Sequence, residues 1–179
     1  MRNRFTKAEW LREGLRTLAR EGPSGLKAAP MAARLGISRG SFYWHFRDMA
    51  AFKKQLLSSW RAATTDRVIG ELDASKAGPD RLKDLLHRAM IMQRSRLDRA
   101  VRVWAGDDRN VAKAIAAVDG RRIAYIAKLL TQSGAPRTRA SGRATFIYWA
   151  YLGQEAIGSP HYGAISVEAL ADLAALFGG

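Results

Sequence analysis

Cysteine is absent from this chain. That excludes a disulfide framework and every thiolate metal site, and it suits a reducing compartment, so a cytoplasmic location is expected. Histidine is scarce, with three residues. His45, His87 and His161 show no metal-ligand spacing, so neither a metal site nor a metal cofactor is expected. No apolar run approaches the ~20 residues that span a bilayer. Arg2, Arg4 and Lys7 lead into an amphipathic pattern rather than the apolar core of a secretory leader, so no membrane partner is expected. A glycine-rich phosphate cradle is missing. Ser133-Gly134 lacks the setting of a nucleophile elbow, and Asp107-Asp108 read as a helix cap rather than a catalytic pair. An enzyme and a bound cofactor are therefore not expected. Acidic residues are also few, 16 Asp and Glu against 30 Lys and Arg, which leaves a formal net charge of +14.

That charge is unevenly placed. The first 60 residues hold 12 of the 30 basic side chains and only 4 of the 16 acidic ones. A GC-rich genome would explain an Arg-rich composition but not this concentration, which points to a polyanionic partner. With 179 residues, 47% of them hydrophobic, the chain can bury a sizeable core in one or two domains.

The apolar spacing is helical throughout, without strand alternation. Thr6 and Glu9 form a capping box ahead of Leu11, Leu15 and Leu18, and Gly22-Pro23 stops that helix. A short helix is expected over Pro30–Leu35 and another over Ser38–Phe46. Gly36 would supply the left-handed turn between them and Ser38 the cap. Asp48 caps a single long helix carrying Phe52, Leu56, Trp60 and Val68, ending before Gly78-Pro79. Further helices are expected over residues 80–97, 98–105, 108–133, 138–157 and 166–177.

The stretch Leu35–Phe46 is the most informative. At helical spacing Ser38, Phe42 and Phe46 share one face, while Gly40, Tyr43, Trp44 and Arg47 turn the other way. A small domain has little reason to expose Tyr and Trp beside Arg and His unless something binds there. Phenol, indole, guanidinium and imidazole groups all reach phosphates, and a helix of this size enters the major groove. Helix, short helix, turn and helix is the helix-turn-helix arrangement.

Ala32, Leu35-Gly36-Ile37-Ser38 and the run Phe42-Tyr43-Trp44-His45-Phe46 followed by Asp48 resemble the DNA-binding domain of the TetR family of bacterial transcriptional regulators. The close resemblance covers roughly residues 5 to 57. It implies an all-α fold, with an N-terminal helix-turn-helix three-helix domain (1–50) and a C-terminal helical ligand-binding and dimerisation domain (51–179). It implies base reading from Arg39, Gly40 and Ser41, Arg39 being suited to guanine O6 and N7, and backbone contact from Tyr43 and His45. Trp44 is left between a thymine methyl, a sugar and packing on a neighbour. Two positions depart from the family pattern. Lys27-Ala28-Ala29 stand where Thr or Ser usually caps the second helix, so Lys27 or the backbone N–H near Ala28 takes over that phosphate contact. Met49 stands where Lys is usual, and Lys53 and Lys54 lie a turn later as substitutes.

The resemblance also implies a homodimer, a near-palindromic double-stranded operator and an unknown small-molecule effector. The pocket candidates are Met90, Gln93, Trp104, Tyr125, Phe146 and Trp149. The dimer interface is expected on the last two helices, through Tyr148, Tyr151, Leu152, Leu170, Leu173 and Phe177. A repressor released by its effector is the expected function. Two rivals stand beside it: an architectural DNA-binding protein blind to ligands, and a ligand-sequestering helical protein whose head no longer reads DNA.

Overall fold

The computed structural model describes residues 5–75, 81–91 and 96–157, together with Ala169, Asp172, Leu173 and Leu176. Among these the chain is helical and contains no strand. It divides into two compact units. One comprises residues 1–64 and 95–116, the other residues 65–94 and 117–179.

In the first unit α1 (Lys7–Glu21) opens on the expected capping box. The Thr6 hydroxyl accepts from the Glu9 N–H at 3.3 Å, and the Glu9 carboxylate accepts from the Thr6 N–H at 2.6 Å. Its buried stripe is Trp10, Glu13, Gly14, Thr17 and Leu18. Leu11 and Leu15, expected inward, are only half-buried, because Trp10 leads the stripe one residue earlier. A 3-10 turn (Pro23–Gly25) precedes α2 (Ala28–Arg34), which buries Met31 and Ala32. Gly36 has φ 66° and makes the left-handed turn. Then come α3 (Gly40–His45) and α4 (Met49–Arg61), whose inner face is Phe52, Leu56 and Trp60. A part-buried polar clip ties α1 to α2. Arg34 donates to Glu13 at 2.7 Å and to the Thr17 hydroxyl at 2.7 Å.

The expected division after residue 50 follows the head alone. The compact unit is larger because α7 (Arg96–Ala105) packs along α1 and buries Val101 and Trp104. The Trp60 indole N–H donates to the buried Asp98 carboxylate at 2.6 Å and fixes that helix to α4.

The long helix expected from Asp48 is not uniform. It leaves α geometry for a π-helical turn over Ala62–Asp66 and resumes as α5 (Arg67–Ala74). The hydroxyl of the buried Thr65 accepts from Arg122 Nε at 2.9 Å, and Asp66 pairs with Arg121 at 2.9 Å. A residue absorbed into a wider turn has no signature in apolar spacing, so the sequence does not announce it.

The second unit is built from α5, α6 (Arg81–Ile91), the later part of α8 (Arg109–Gln132) and α9 (Arg137–Ile157). Leu72, Leu82, Ile126, Leu129, Leu130 and Ala144 centre its core, together with Tyr125 and Tyr148. Gly134, at φ 104°, turns the chain out of α8. The Tyr125 hydroxyl donates to Asp73 at 3.0 Å and the Tyr148 hydroxyl to Asp119 at 2.6 Å. Most of the expected last helix, including Leu170 and Phe177, lies outside the described residues.

Two predictions follow from these packings. A Cβ on Gly14 would stand 2.6 Å from Phe52 Cζ and 2.8 Å from Leu56 Cδ1. Gly14→Ala should therefore cost about 1–3 kcal/mol, read as a lower urea midpoint. In the second unit, burial and then the bond to Asp73 push the Tyr125 phenol up to about 12. Burial does the same for Tyr148, opposed by the Arg122 guanidinium and aided by Asp119. An unfolded chain loses phenolic protons from about pH 10. Both groups thus contribute stability fully below pH 10 and lose it as pH rises through 12. Urea midpoints measured from pH 9 to 12 should fall more steeply for the parent than for Tyr125→Phe/Tyr148→Phe.

Candidate nucleic-acid interface

Helix α3 is six residues long, too short to hold itself together in water. Its position comes from packing. Phe42 is fully buried and meets the Trp10 ring edge-on at 5.3 Å, Phe46 at 5.1 Å and Phe52 at 5.3 Å. Phe46 meets Phe52 at 4.9 Å. With Phe42 and Phe46 turned inward, the intervening residues must face out. Tyr43 is 50% exposed and Trp44 80% exposed, and Arg39 and Gly40 are exposed beside them. One Arg39 guanidinium nitrogen lies 3.4 Å from the Tyr43 hydroxyl, so the two polar tips sit together at the start of the helix.

Ser41 is half-buried, and its N–H donates to the Ser38 carbonyl at 3.0 Å. Ser38 does not make the expected side-chain cap. The residue at the cap position is Arg39, in helical geometry, and α3 has no side-chain cap bond. At the end of the helix, His45 is half-buried with Nε2 2.7 Å from the Phe5 carbonyl oxygen. That nitrogen is thus engaged by the chain itself. The partner lies 40 residues away, and no local signal points to it.

The supporting positions divide. Lys27 is exposed at the start of α2 with no side-chain cap, in keeping with the absence of Thr or Ser there. Ala28 is only 9% exposed, and its methyl group belongs to the core. It was expected at the DNA and offers at most its backbone N–H. Asp48 caps α4 by accepting from the Ala51 N–H at 2.7 Å. That bond, with Arg47 beside it, holds its carboxyl below the usual range. The half-buried Lys53 places its ammonium 5.5 Å from the centroid of the Trp104 ring. Lys54 is exposed.

Trp104 fills the core of the first unit and Tyr125 that of the second. Phe146 and Trp149 are 58% and 66% exposed on α9. Gln93 and the side chain of Met90 lie outside the described residues. The second unit carries an open groove of about 450 Å³ lined by Ala124, Ala127, Ala140, Lys128, Thr131 and Arg137. Of the expected interface residues, Tyr148 belongs to the core of the second unit, and Tyr151 and Leu152 pack partly buried against it. Leu173 is exposed. Among the described residues no helix is long and apolar enough to cross a membrane.

Residues 11–56, from α1 to the inner face of α4, match the family of bacterial regulatory proteins designated the tetR family. No curated protein matches the chain. Among solved structures, the reduced form of NemR from E. coli is 19% identical with a TM-score of 0.73, over 93% of each chain. A TetR-family transcriptional regulator from Bordetella parapertussis is 23% identical with a TM-score of 0.59, over 99% of this chain and 95% of its own. A transcriptional regulator from Cytophaga hutchinsonii is 16% identical with a TM-score of 0.62, over 94% of each chain. At such identities the likeness establishes the fold. Residues 11–56 thus carry the match to the tetR family of bacterial regulatory proteins, and the all-helical fold of solved regulators of that kind is shared along nearly the whole length.

Proposed function

We propose that the chain is a dimeric repressor that reads a near-palindromic operator and is released from it by a small molecule bound in the second unit. One observation carries the reading: a helix locked by Phe42 on one side presents Arg39, Gly40, Tyr43 and Trp44 to solvent on the other. Arg39 stands at the end of α3 that enters the groove first, suited to a guanine edge. The phenol of Tyr43 and the indole N–H of Trp44 serve the flanking phosphates. Two copies would place two such helices in successive major grooves, with half-sites about 34–36 Å apart or somewhat more.

Pairing of the two copies is supported by the outward face of α9. Trp149 and Phe146 are exposed there, and Gly142 and Gly153 have open space where a Cβ would stand, which permits close helix approach. This face replaces Tyr148 as the centre of the proposed interface. The groove that Lys128 and Arg137 help to line supports an effector site in the second unit. A ligand there lowers operator affinity only if it binds the form that does not hold DNA more tightly. The net charge of +14 favours a second reading, an architectural binder held by phosphates alone.

The two readings separate in a mobility-shift assay with an excess of random competitor DNA. A regulator keeps its selected duplex bound, whereas equal loss with any competitor establishes the architectural reading. On the selected duplex, Arg39→Ala should weaken binding by about tenfold or more, the loss of one bidentate base contact, and Tyr43→Phe by a smaller factor. Gly40→Ala separates stability from reading. A Cβ there would meet only Ser38 Oγ, at 3.7 Å. The melting temperature should hold or rise slightly, while the added methyl holds the backbone off the bases and weakens binding.

A further inference from the structure

Lys128 faces two ways. Its ammonium donates to both carboxylate oxygens of Asp73, at 3.0 and 3.2 Å, and lies 5.3 Å from the centroid of the Tyr125 ring. The same side chain lines the groove of the second unit. Two helical stripes make that groove. Ala124, Ala127, Lys128 and Thr131 stand at i, i+3, i+4 and i+7 on α8, and Arg137 and Ala140 at i and i+3 on α9. Its volume of about 450 Å³ falls within the range of small-molecule clefts, about 300–1,000 Å³. The described lining residues include two cations and no acid. Arg137 is exposed, and among the described residues no hydrogen bond or ion pair holds it.

Resting on the reading of this groove as the effector site, we infer that it takes a small monocarboxylate with a short apolar body, gripped by Arg137, and that Lys128 gives up Asp73 to hold it. Charge sets the class of ligand. Asp73 already balances Lys128, so Arg137 supplies about one net positive charge, which a monoanion neutralises. The guanidinium fork matches a carboxylate with two parallel N–H bonds. The three alanine methyl groups offer apolar contact and no hydrogen bond, so the rest of the ligand is hydrocarbon. The Thr131 hydroxyl donates to the Ala127 carbonyl at 3.0 Å, so its proton is not free for a hydroxylated ligand. Releasing Asp73 costs little. Its pair with Lys128 is exposed, 39% and 47% on the two side chains, and such pairs contribute little to stability. Asp73 then keeps the Tyr125 hydroxyl at 3.0 Å and Arg81 at 4.0 Å, so no carboxylate is stranded. Asp73 lies in the last turn of α5. The exchange therefore changes the charge held at the end of that helix.

The test titrates the isotopically labelled full chain with butanoate and hexanoate and follows amide NMR shifts. The shifts should centre on residues 124–132 and 137–141. Hexanoate should bind more tightly than butanoate, by up to about fifteenfold for two added methylenes. Neutral hexanamide should bind about tenfold more weakly than hexanoate, or worse. Arg137→Gln should weaken hexanoate by a similar factor. Ala124→Leu should weaken it too, because it fills the groove and leaves both cations in place. Asp73→Asn keeps an acceptor for Tyr125 and removes the competing charge. It should bind hexanoate about threefold more tightly, a gain that a purely structural pair would not give.

Hexanamide or inorganic phosphate binding as tightly as hexanoate overturns the site, and so do shifts that survive both Arg137→Gln and Ala124→Leu. An Asp73→Asn chain that binds no more tightly than the parent overturns the exchange at Lys128. Mobility shifts on the selected duplex keep the underlying reading separate. Hexanoate that fails to bind overturns the inference and leaves the head a DNA reader. Hexanoate that fills the groove without lowering operator affinity upholds the carboxylate site and overturns the groove as the effector site.

Discussion

The lock of Phe42 among the rings of Trp10, Phe46 and Phe52 is the constraint on which the rest of the head depends. A helix of six residues has almost no stability of its own. Each aromatic pair contributes roughly 0.5–1.5 kcal/mol beyond the area it buries, and four converge on Phe42, the fourth from the adjacent Tyr43. They also set the rotation of α3 about its axis. With that rotation fixed, Arg39, Gly40, Tyr43 and Trp44 have one direction in which to point. The clip of Glu13, Thr17 and Arg34 does the complementary job one helix earlier. It sets α2 against α1, and through Gly36 the angle at which α3 leaves. The direction in which the exposed side chains point therefore rests on packing beneath them.

Much of this head was legible because its signals are local. The Thr6–Glu9 capping box, the Asp48 cap, the left-handed Gly36 and the inward pair Phe42 and Phe46 each need only a few neighbouring residues to be recognised. The misses come from contacts far apart in sequence. Apolar spacing alone allowed Leu11 to lead the stripe of α1, but Trp10 does, because Phe42 is there to receive it. Trp60 and Asp98 are 38 residues apart, and no pattern in either helix announces that the indole will find that carboxylate. The pairing of His45 with Phe5 is hidden for the same reason. Ala28 offers no side-chain cap, as its residue type announces, but the burial of its methyl group depends on neighbours that local spacing does not reveal.

The second unit shows the limit of periodicity more sharply. Helix α9 carries aromatic residues around most of its circumference, at Phe146, Tyr148, Trp149 and Tyr151. Spacing identifies the helix without saying which side is inward. Adjacent residues differ by about 100° of rotation, so Tyr148 and Trp149 cannot share a role. The choice is made by Asp119 and Arg122 on α8. They hold the Tyr148 hydroxyl, at 2.6 and 3.5 Å, and draw that side chain into the core. Trp149 is thereby turned outward. Tyr148, expected at an interface from the sequence, is thus a core residue, and its neighbour is the one left at the surface.

The same reasoning changes what the basic composition means. Not every cation of the head faces a partner. Arg34 is committed to Glu13 and Glu21, Arg20 lies 3.0 Å from Glu21, and Arg47 lies 3.0 Å from Asp48. Lys53 is drawn over Trp104. Lys27, Arg39 and Lys54 are exposed. The exposed pairs at Arg20 and Arg47 are weak and can be given up to a phosphate, because surface ion pairs contribute at most about 1 kcal/mol. Arg34 is different. Breaking its bond to the buried Glu13 would strand a carboxylate in the core. The salt dependence of binding follows the phosphates actually neutralised. It is thus set by cations that the fold leaves available, and the total of +14 overstates it. Arg34 in particular is committed to the contact between α1 and α2, which sets the angle at which α3 leaves.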